Sequence, residues 1–183
     1  MLAFVGLFES FDGARIKAKA LAAQILLANA WERTLDGETQ SKPWPWADVW
    51  PVLKLEAPRL HQTAIALSGV SGQAMAFGPG LMPQTPTPGE PGMSIIAAHR
   101  DTHFKFLKNV AIGDDILITR PDGITLQFTI TETRIVNATQ SGLYADGETP
   151  QIALVTCWPF NAITRGDERF VAIATLTSGA PEI

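Results

Sequence analysis

Three side chains whose types together could carry out a reaction lie at or beside the ends of predicted strands. They are His99 in IIAAHRDTHF, Cys157 in ALVTCWPF and Arg169 in DERFVAIA. A thiolate is a competent nucleophile, a nearby imidazole can exchange its proton, and a guanidinium can stabilise the oxyanion that forms when a carbonyl is attacked. If the fold brings these strand ends together, the trio indicates acyl transfer.

Each member of this trio also has an ordinary structural interpretation. A single cysteine in an apolar run is often a small buried hydrophobe. A lone histidine is often a surface or core residue, and an arginine near a strand start is usually a surface charge. Because the chain has one cysteine, it can form neither an intramolecular disulfide nor a cysteine-based structural zinc site. The functional hypothesis therefore depends on the local sequence around each residue.

The segment around His99 also suggests two other kinds of site. His99 and His103 are four residues apart with Asp101 between them, which would suit a metal pair on a helix. However, the chain has only three histidines and no Glu follows His99 as a zinc protease requires, so we expect no metal and no cofactor. The triplet His99-Arg100-Asp101 is similar to a kinase catalytic loop, but no Asn follows at the needed position, which excludes a kinase.

The size and charge of the chain limit the remaining function classes. Its 183 residues are 46% hydrophobic and 17% charged, which is enough apolar material for one folded domain. The formal net charge is −4, and Lys and Arg are scattered along the chain. The basic surface that would neutralise phosphates is therefore missing, and nucleic acid is excluded as a partner.

Residues 1–41 are predicted to form an apolar stub and a helix. Residues 1–8, MLAFVGLF, are too few to span a bilayer, which takes about 20 residues, and no positive leader precedes them as in a signal peptide. The stub is either an apolar helix start packed on the domain or a partner, or the end of a longer membrane anchor. Residues 14–35 lack Gly and Pro and carry Leu21 and Ile25 at helical spacing, which predicts a helix.

Residues 42–51, KPWPWADVWP, are predicted to form an extended strap. Their prolines exclude a helix interior. Because large aromatic side chains bury much area, we expect Trp44, Trp46 and Trp50 to fasten the helix to the domain. A proline-rich ligand for another module is the alternative. The strap begins the second predicted unit, a catalytic domain of residues 42–183.

From Leu60 onward the apolar period changes to two, which is typical of strands. Residues 78–92, GPGLMPQTPTPGEPG, are too rich in Pro and Gly for a central strand and are predicted to form a long surface loop. Short apolar runs bounded by Gly, Pro and Asp indicate an all-β sandwich or barrel. These runs lie at residues 65–67, 94–98, 116–119, 126–130, 152–156 and 170–176.

Five segments resemble those of the sortases, the cysteine transpeptidases of bacterial surfaces. In the family's order, they read KPWPWADVWPV, AFGPG, PGEPGMSIIAAHRDTHFKFL, LVTCWPF and RFVAIA. The resemblance spans most of the chain and is to the proteobacterial, or Gram-negative, branch. It implies a mainly β fold, a single sortase-like β-barrel with an N-terminal helix and short connecting helices.

The resemblance also assigns roles by position. Cys157 in LVTC matches the sortase nucleophile, His99 the catalytic histidine, and Arg169, twelve residues after the cysteine, the catalytic arginine. Thr156 matches the threonine whose side chain helps to position the substrate carbonyl. We expect Trp158 to shape one wall of the substrate groove, with plain core packing as the alternative.

Two further segments are assigned supporting roles. Arg100, Asp101 and His103 are interpreted as supporting the loop that carries His99. Residues 137–150 correspond in position to the sortase loop that covers the sorting signal.

The resemblance implies that Cys157 cleaves a threonyl peptide bond in an LPxTG-like signal near the carboxyl terminus of a substrate protein. The thioacyl enzyme is then resolved by an amine that the sequence does not name. Family members are held by an N-terminal membrane helix, so we expect an inner-membrane anchor, truncated here if residues 1–8 are its end, and a periplasm-facing enzyme. Two alternatives stay open: a cysteine peptidase that only hydrolyses, and a catalytically idle peptide-binding module.

Overall fold

Eight strands close into a barrel in the computed structural model, which describes residues 21–162, 164 and 166–179. The strands are β1 (Pro51–Ala57), β2 (Gln62–Ser68), β3 (Gly80–Leu81), β4 (Met93–Ala97), β5 (Asp115–Thr119), β6 (Thr125–Asn137), β7 (Gln151–Cys157) and β8 (Glu168–Ser178). Their order around the barrel is β1-β2-β3-β4-β7-β8-β6-β5, and β5 pairs with β1 to close it. Neighbours are antiparallel except β2 with β3 and β4 with β7, which are parallel.

Short helical elements connect these strands. Helix α1 covers residues 21–35, and helix α2 is Gly72–Phe77. The Ser71 hydroxyl caps α2 by accepting a hydrogen bond from the Ala74 N–H at 3.1 Å. Two 3₁₀ segments lie at Pro58–Leu60 and Lys105–Asn109.

Alternate residues of the strands fill the barrel interior. In β1, Leu53 and Leu55 are buried, whereas Lys54 and Glu56 lie half-buried on the outside and form an ion pair at 3.2 Å. This is the alternation that a two-residue strand period produces when one face meets the core and the other meets water. The largest fully buried side chains of the interior are Phe104, Phe128, Leu53, Leu55, Ile96, Leu107, Ile116, Ile118, Leu126 and Ile130.

Helix α1 and the strap pack on the outside of the barrel. Leu27 of α1 and Val49 of the strap belong to one buried apolar cluster with residues of β2 and α2. Trp44 contacts the ring of Phe77 edge-on, with ring centroids 4.8 Å apart. Trp46 is 81% exposed, so the prediction that it fastens the helix is wrong: the small side chains around it take the buried positions of this short segment. Among the described residues, no helix has the length and apolar character to cross a bilayer.

The strand runs predicted from the sequence are confirmed in β2, β4, β5, β6, β7 and β8, and the predicted helix is confirmed over residues 21–35. Residues 1–20 lie outside the described part of the chain, and the predicted boundary at residue 41 stays a prediction. The predicted loop 78–92 is wrong at its start, because β3 lies within it. There, a Cβ on Gly80 would come 2.1 Å from the Gly69 carbonyl oxygen, so only glycine allows this close approach.

Candidate active site

The strand register brings the three predicted reactive residues to one edge of the sheet. Strands β7 and β8 pair so that Cys157 lies directly opposite Arg169, a position at which Cβ atoms are about 4.5 to 5.5 Å apart. On the other side, β4 runs parallel to β7 with Ala97 beside Val155. His99 and Cys157 each follow two residues after that pair, so His99 and Arg169 flank Cys157 from opposite sides.

The same alternation decides which face of the sheet carries the three side chains. Ala98 and Thr156, each one residue before a member of the trio, are buried, and Phe170, one residue after Arg169, packs against the barrel interior. Since successive strand residues point to opposite faces, His99, Cys157 and Arg169 lie together on the outer face, where all three are half-buried. We call the outer face of β4, β7 and β8 the site wall.

Two hydrogen bonds extend the β4–β7 pairing up to the site. The Ala98 N–H donates to the Val155 carbonyl at 3.1 Å. The Thr156 hydroxyl donates to the Ala98 carbonyl at 2.7 Å, and Thr156 is only 2% exposed. A buried hydroxyl bond of this kind fixes the two strands one residue before His99 and Cys157. This position makes Thr156 a link between the strands, and its predicted contact with substrate stays a prediction.

Arg169 is held in place by backbone carbonyls. Its Nη1 donates to the carbonyls of Gly166 and Glu168, both at 2.8 Å. The Glu168 carbonyl also accepts from the Trp158 N–H at 3.0 Å, which ties the chain just after Cys157 to the chain just before Arg169. Because a guanidinium carries five N–H donors, Nη2 and Nε are the donors that we expect to meet a substrate oxyanion.

Arg100, Asp101 and His103 take three different places. The Arg100 guanidinium crosses to the loop after Cys157, where it binds three carbonyls, and Asp101 is exposed. Burial lowers the pKa of His103, with a smaller lowering from nearby His99, against a raising contact with the Ala76 carbonyl. The direction of this shift favours the neutral imidazole of His103. It borders a cavity of about 140 Å³ together with Leu55, Gln62, Thr63, Ala64, Thr102 and Phe106.

Trp158, predicted to line the substrate groove, belongs to an aromatic cluster at the end of the barrel. Its ring stacks on Phe170, with centroids 6.1 Å apart, and meets Phe160 edge-on at 5.4 Å. Phe160 and Phe170 contact each other and pack against the barrel interior. The cluster closes this end of the core next to Cys157, and a substrate contact by Trp158 stays a prediction.

The site wall is apolar beyond the reactive residues, a feature that the sequence analysis missed. Met93 and Ile95 of β4, Ala153 of β7, and Val171 and Ile173 of β8 form a buried cluster on the outer face. They share the face of the trio by strand alternation, so the cluster leads along the sheet to Cys157. The signal was available, because the apolar runs in β4 and β7 are continuous rather than alternating, as in strands buried on both faces.

The loop between β6 and β7 covers this apolar surface. Leu143 packs against the cluster, and the Ala145 carbonyl accepts a hydrogen bond from the Met93 N–H at 2.9 Å. Gly92, at a φ of +105°, allows the approach, since a Cβ there would come 2.2 Å from the Ala145 oxygen. We call the five side chains of this cluster, which are at most 9% exposed beneath the loop, the apolar floor.

In the described part of the chain, no group of three or more His, Cys, Asp or Glu side chains lies close enough together to hold a metal ion. A thiol flanked by an imidazole and a guanidinium, at the end of an apolar floor, is equipped for attack on a peptide carbonyl.

Comparisons with known proteins give two sequence matches. Residues 55–177 match the family model of the sortase domain. Sortase D of Bacillus subtilis (strain 168) is 24% identical over 118 residues, which are 64% of this chain and 59% of that protein. The chain thus spans about three fifths of the length of this relative.

Solved structures of sortases share the fold. Sortase A from Corynebacterium diphtheriae gives a TM-score of 0.67 at 24% identity, over 79% of this chain and 68% of that one. A Sortase D5 transpeptidase from Clostridium perfringens gives 0.64 at 19% identity, over 82% and 89% of the two chains. These matches confirm the predicted mainly β barrel. The named relatives come from Gram-positive bacteria, so the predicted proteobacterial branch finds no support among them.

The residues matched by the family model include β4, β7 and most of β8, and with them His99, Cys157 and Arg169. Because this match takes in well over half of the chain, the protein belongs to the sortase family.

Proposed function

We propose that this sortase cleaves an LPxTG-like sorting signal through a thioacyl enzyme and transfers the acyl group to an amine. The observation that carries the proposal is the strand register that flanks Cys157 with His99 on β4's side and Arg169 on β8's side. Each residue of the trio has a separate task in such a reaction.

In the first half-reaction, the Cys157 thiolate attacks the threonyl carbonyl carbon, and the negative charge moves to the carbonyl oxygen. Arg169 stabilises that oxyanion with its N–H donors. His99, protonated, gives its proton to the leaving amine as the C–N bond breaks. The products are a thioester on Cys157 and a released carboxyl-terminal peptide.

In the second half-reaction, an acceptor amine attacks the thioester. His99, now neutral, takes the proton from that amine, and the C–S bond breaks to return the Cys157 thiolate. Water in place of the amine gives hydrolysis. The result is a new amide bond between the substrate protein and its acceptor, with no cofactor consumed.

The outer face of β4 and β7 supports the choice of substrate. An extended peptide with its carbonyl at Cys157 would lie beside the half-buried side chains of Ala97 and Val155 on the outer face of β4 and β7. The leucine and proline of an LPxTG-like signal are apolar and precede the threonine, so these are the residues that we propose to contact Ala97 and Val155.

The place of action is part of the proposal and rests on the sequence motifs. We propose an enzyme anchored in the inner membrane and facing the periplasm, in the proteobacterial branch, which joins a protein to the cell surface. Localisation of the full-length natural protein in fractionated cells, with antibody detection, tests this part independently of the chemistry.

The experiment on the chemistry is mass spectrometry of the purified protein with an LPxTG-type peptide, with and without a small amine, beside Cys157→Ala. We expect a thioacyl adduct on Cys157 and an amine-dependent ligated product, both absent in the variant. Cleavage without any rate gain from the amine would identify a hydrolase. No adduct across a varied peptide set, with ordinary thiol reactivity, would identify an idle peptide-binding module.

A further inference from the structure

The loop between β7 and β8 connects the nucleophile to the arginine that faces it. It begins at Trp158, directly after Cys157, and ends at Asp167, two residues before Arg169. Among the described residues, the backbone hydrogen bonds of this loop join the Trp158 N–H to the Glu168 carbonyl at 3.0 Å, the Ala162 N–H to the Pro159 carbonyl at 3.2 Å and the Ala138 N–H to the Asp167 carbonyl at 2.7 Å. A side chain from outside the loop holds its middle.

Arg100 supplies that hold. Its Nη1 donates to the Pro159 carbonyl at 3.0 Å, and its Nη2 donates to the carbonyls of Ala162 at 2.5 Å and Thr164 at 3.0 Å. These acceptors lie 59 to 64 residues away along the chain. Charge-assisted hydrogen bonds are stronger than neutral ones, and the guanidinium of Arg100 is half-buried, which strengthens them further.

The hydrogen bonds of Arg100 connect to the reacting groups on two sides, at His99 and at Arg169. Arg100 directly follows His99 in the chain, so the hydrogen bonds of the Arg100 side chain also fix the backbone next to His99. The Thr164 carbonyl that it binds is two residues before Gly166, whose carbonyl is one of the two that fix Arg169. If the middle of the loop moves, the Gly166 carbonyl moves with it and Arg169 loses a partner.

We propose that Arg100 is a positioning residue of the transpeptidase site, which fixes the β7–β8 loop so that Arg169 stays beside Cys157. The role goes beyond support of the histidine loop, because every hydrogen-bond partner above belongs to the loop after the cysteine. The proposal rests on the proposed function for its catalytic readout, but the contact itself is measurable without substrate.

The catalytic test separates two reactions of the same thiol. Alkylation of Cys157 by iodoacetamide needs the thiolate but develops no oxyanion, whereas acylation by a peptide needs both the thiolate and Arg169. For Arg100→Gln we expect thioacyl formation to fall by about 10- to 100-fold, as small displacements at a reacting centre do. The alkylation rate should stay within about 2-fold at every pH.

Arg100→Lys distinguishes position from charge. Lysine keeps the charge but lacks the planar fork that meets three carbonyls, so we expect it to recover only a small part of the acylation rate. Full recovery by lysine, with a shifted pH profile of alkylation in Arg100→Gln, would mean that Arg100 acts through its charge on the thiol, and the proposal would be overturned. Acylation within 2-fold of wild type in both variants would overturn it as well.

Arg33→Gln is the matched control. Arg33 also donates to a backbone carbonyl, that of Lys42, at 2.8 Å, but it lies in α1 and holds the start of the strap. We expect this variant to acylate at the wild-type rate, with all rates measured below the melting temperature of each variant. An equal loss in Arg33→Gln would show that any lost carbonyl contact slows the enzyme and would contradict a specific role for Arg100.

Hydrogen exchange followed by mass spectrometry tests the contact without any substrate. In Arg100→Gln we expect amides of residues 158–167 to exchange faster, while those of residues 138–150 in the β6–β7 loop keep their wild-type rates. Unchanged exchange in residues 158–167 overturns the proposal even if the wild-type protein proves to be active. Conversely, a wild type that forms no thioacyl adduct contradicts the proposed function, and faster exchange would still establish the hold on the loop.

Discussion

The site wall differs from the wall on the opposite side of the barrel, formed by β1 and β5, in what its outer face carries. On β1, the outer positions hold Lys54 and Glu56, and buried leucines alternate with them. On β7, Ala153 is fully buried on the outer face, next to buried residues of β4 and β8. One sheet thus changes from a wall with one apolar face to a wall with two, and the loop between β6 and β7 covers the second apolar face.

The two walls also use arginine differently. On the far side, Arg59 donates both Nε and Nη2 to the carboxylate of Asp114, a pairing that satisfies a buried charge. Arg169 on the site wall and Arg100 in the turn after β4 donate to backbone carbonyls, which leaves their positive charge without a carboxylate among these hydrogen bonds. A cation that is positioned but not neutralised is suited to an oxyanion that forms only during reaction.

The largest expected effect is at Arg169. Arg169→Lys should lower thioacyl formation by about 100-fold or more, because a point charge does not reproduce a planar fork that meets both a carbonyl and an oxyanion. The melting temperature should change little, since Arg169 is half-buried at a strand start. Single-turnover acylation followed by mass spectrometry gives the rate. Near-wild-type turnover would contradict the oxyanion role of Arg169.

The next effect concerns the outer face of β7. Val155→Thr keeps the shape of the side chain but adds a hydroxyl that an apolar substrate cannot pair, so kcat/KM for an LPxTG-type peptide should fall by about 3- to 10-fold. Val52→Thr makes the same substitution on β1, where the side chain is half-buried against the barrel interior. Steady-state kinetics of the two variants compare the walls directly. Equal losses in both would show that the outer face of β7 has no special contact with substrate.

The smallest effect on activity, and a clear one on stability, is expected at Asp114. The hydrogen bonds from Arg59, aided by the Ala111 N–H, lower the pKa of Asp114 below its ordinary 3.8, with burial acting in the opposite direction. Asp114→Asn should cost about 1 to 3 kcal/mol in the free energy of unfolding at pH 7, as for other broken buried pairs, and leave turnover unchanged.

The pH dependence follows from the sign of that shift. A folded-state pKa below the unfolded one gives stabilisation that is complete above the unfolded value and is lost as the pH falls through the folded value. The difference between wild type and Asp114→Asn should therefore be constant from pH 5 to 7 and shrink below pH 3.8. Asp122→Asn removes an exposed partner of Arg120 and should change stability by less than about 1 kcal/mol, measured by urea unfolding.

The parts of the molecule that the sequence predicted are those in which local pattern and side-chain type carry the information. Period-two alternation and short apolar runs bounded by Gly, Pro and Asp placed six strands, and the residue motifs singled out His99, Cys157 and Arg169. Which strands are neighbours could not be predicted, because the parallel pairing of β4 with β7 joins residues 58 positions apart and no local pattern specifies it. The continuous apolar runs of β4 and β7 indicate strands buried on both faces, but only the fold shows that these strands lie side by side and form the apolar floor.

Hydrogen bonds to backbone carbonyls could not be predicted from the sequence for a similar reason. The partners of Arg100 are three carbonyls, which every residue carries, so their side chains give no signal in the sequence. The exposure of Trp46 was mispredicted because residue type indicates how much area a side chain can bury, and the course of the strap decides whether it does.

The position of β8 between β6 and β7 has a consequence for the order in which the protein becomes active. During synthesis, the ribosome releases His99 first and Cys157 later, and Arg169 follows with the last strand. Strand β8 joins β6 to β7 and also carries Arg169, so a chain that ends before β8 has no guanidinium opposite Cys157. Under the proposed function, a molecule clipped before residue 168 should therefore form no thioacyl adduct with a peptide.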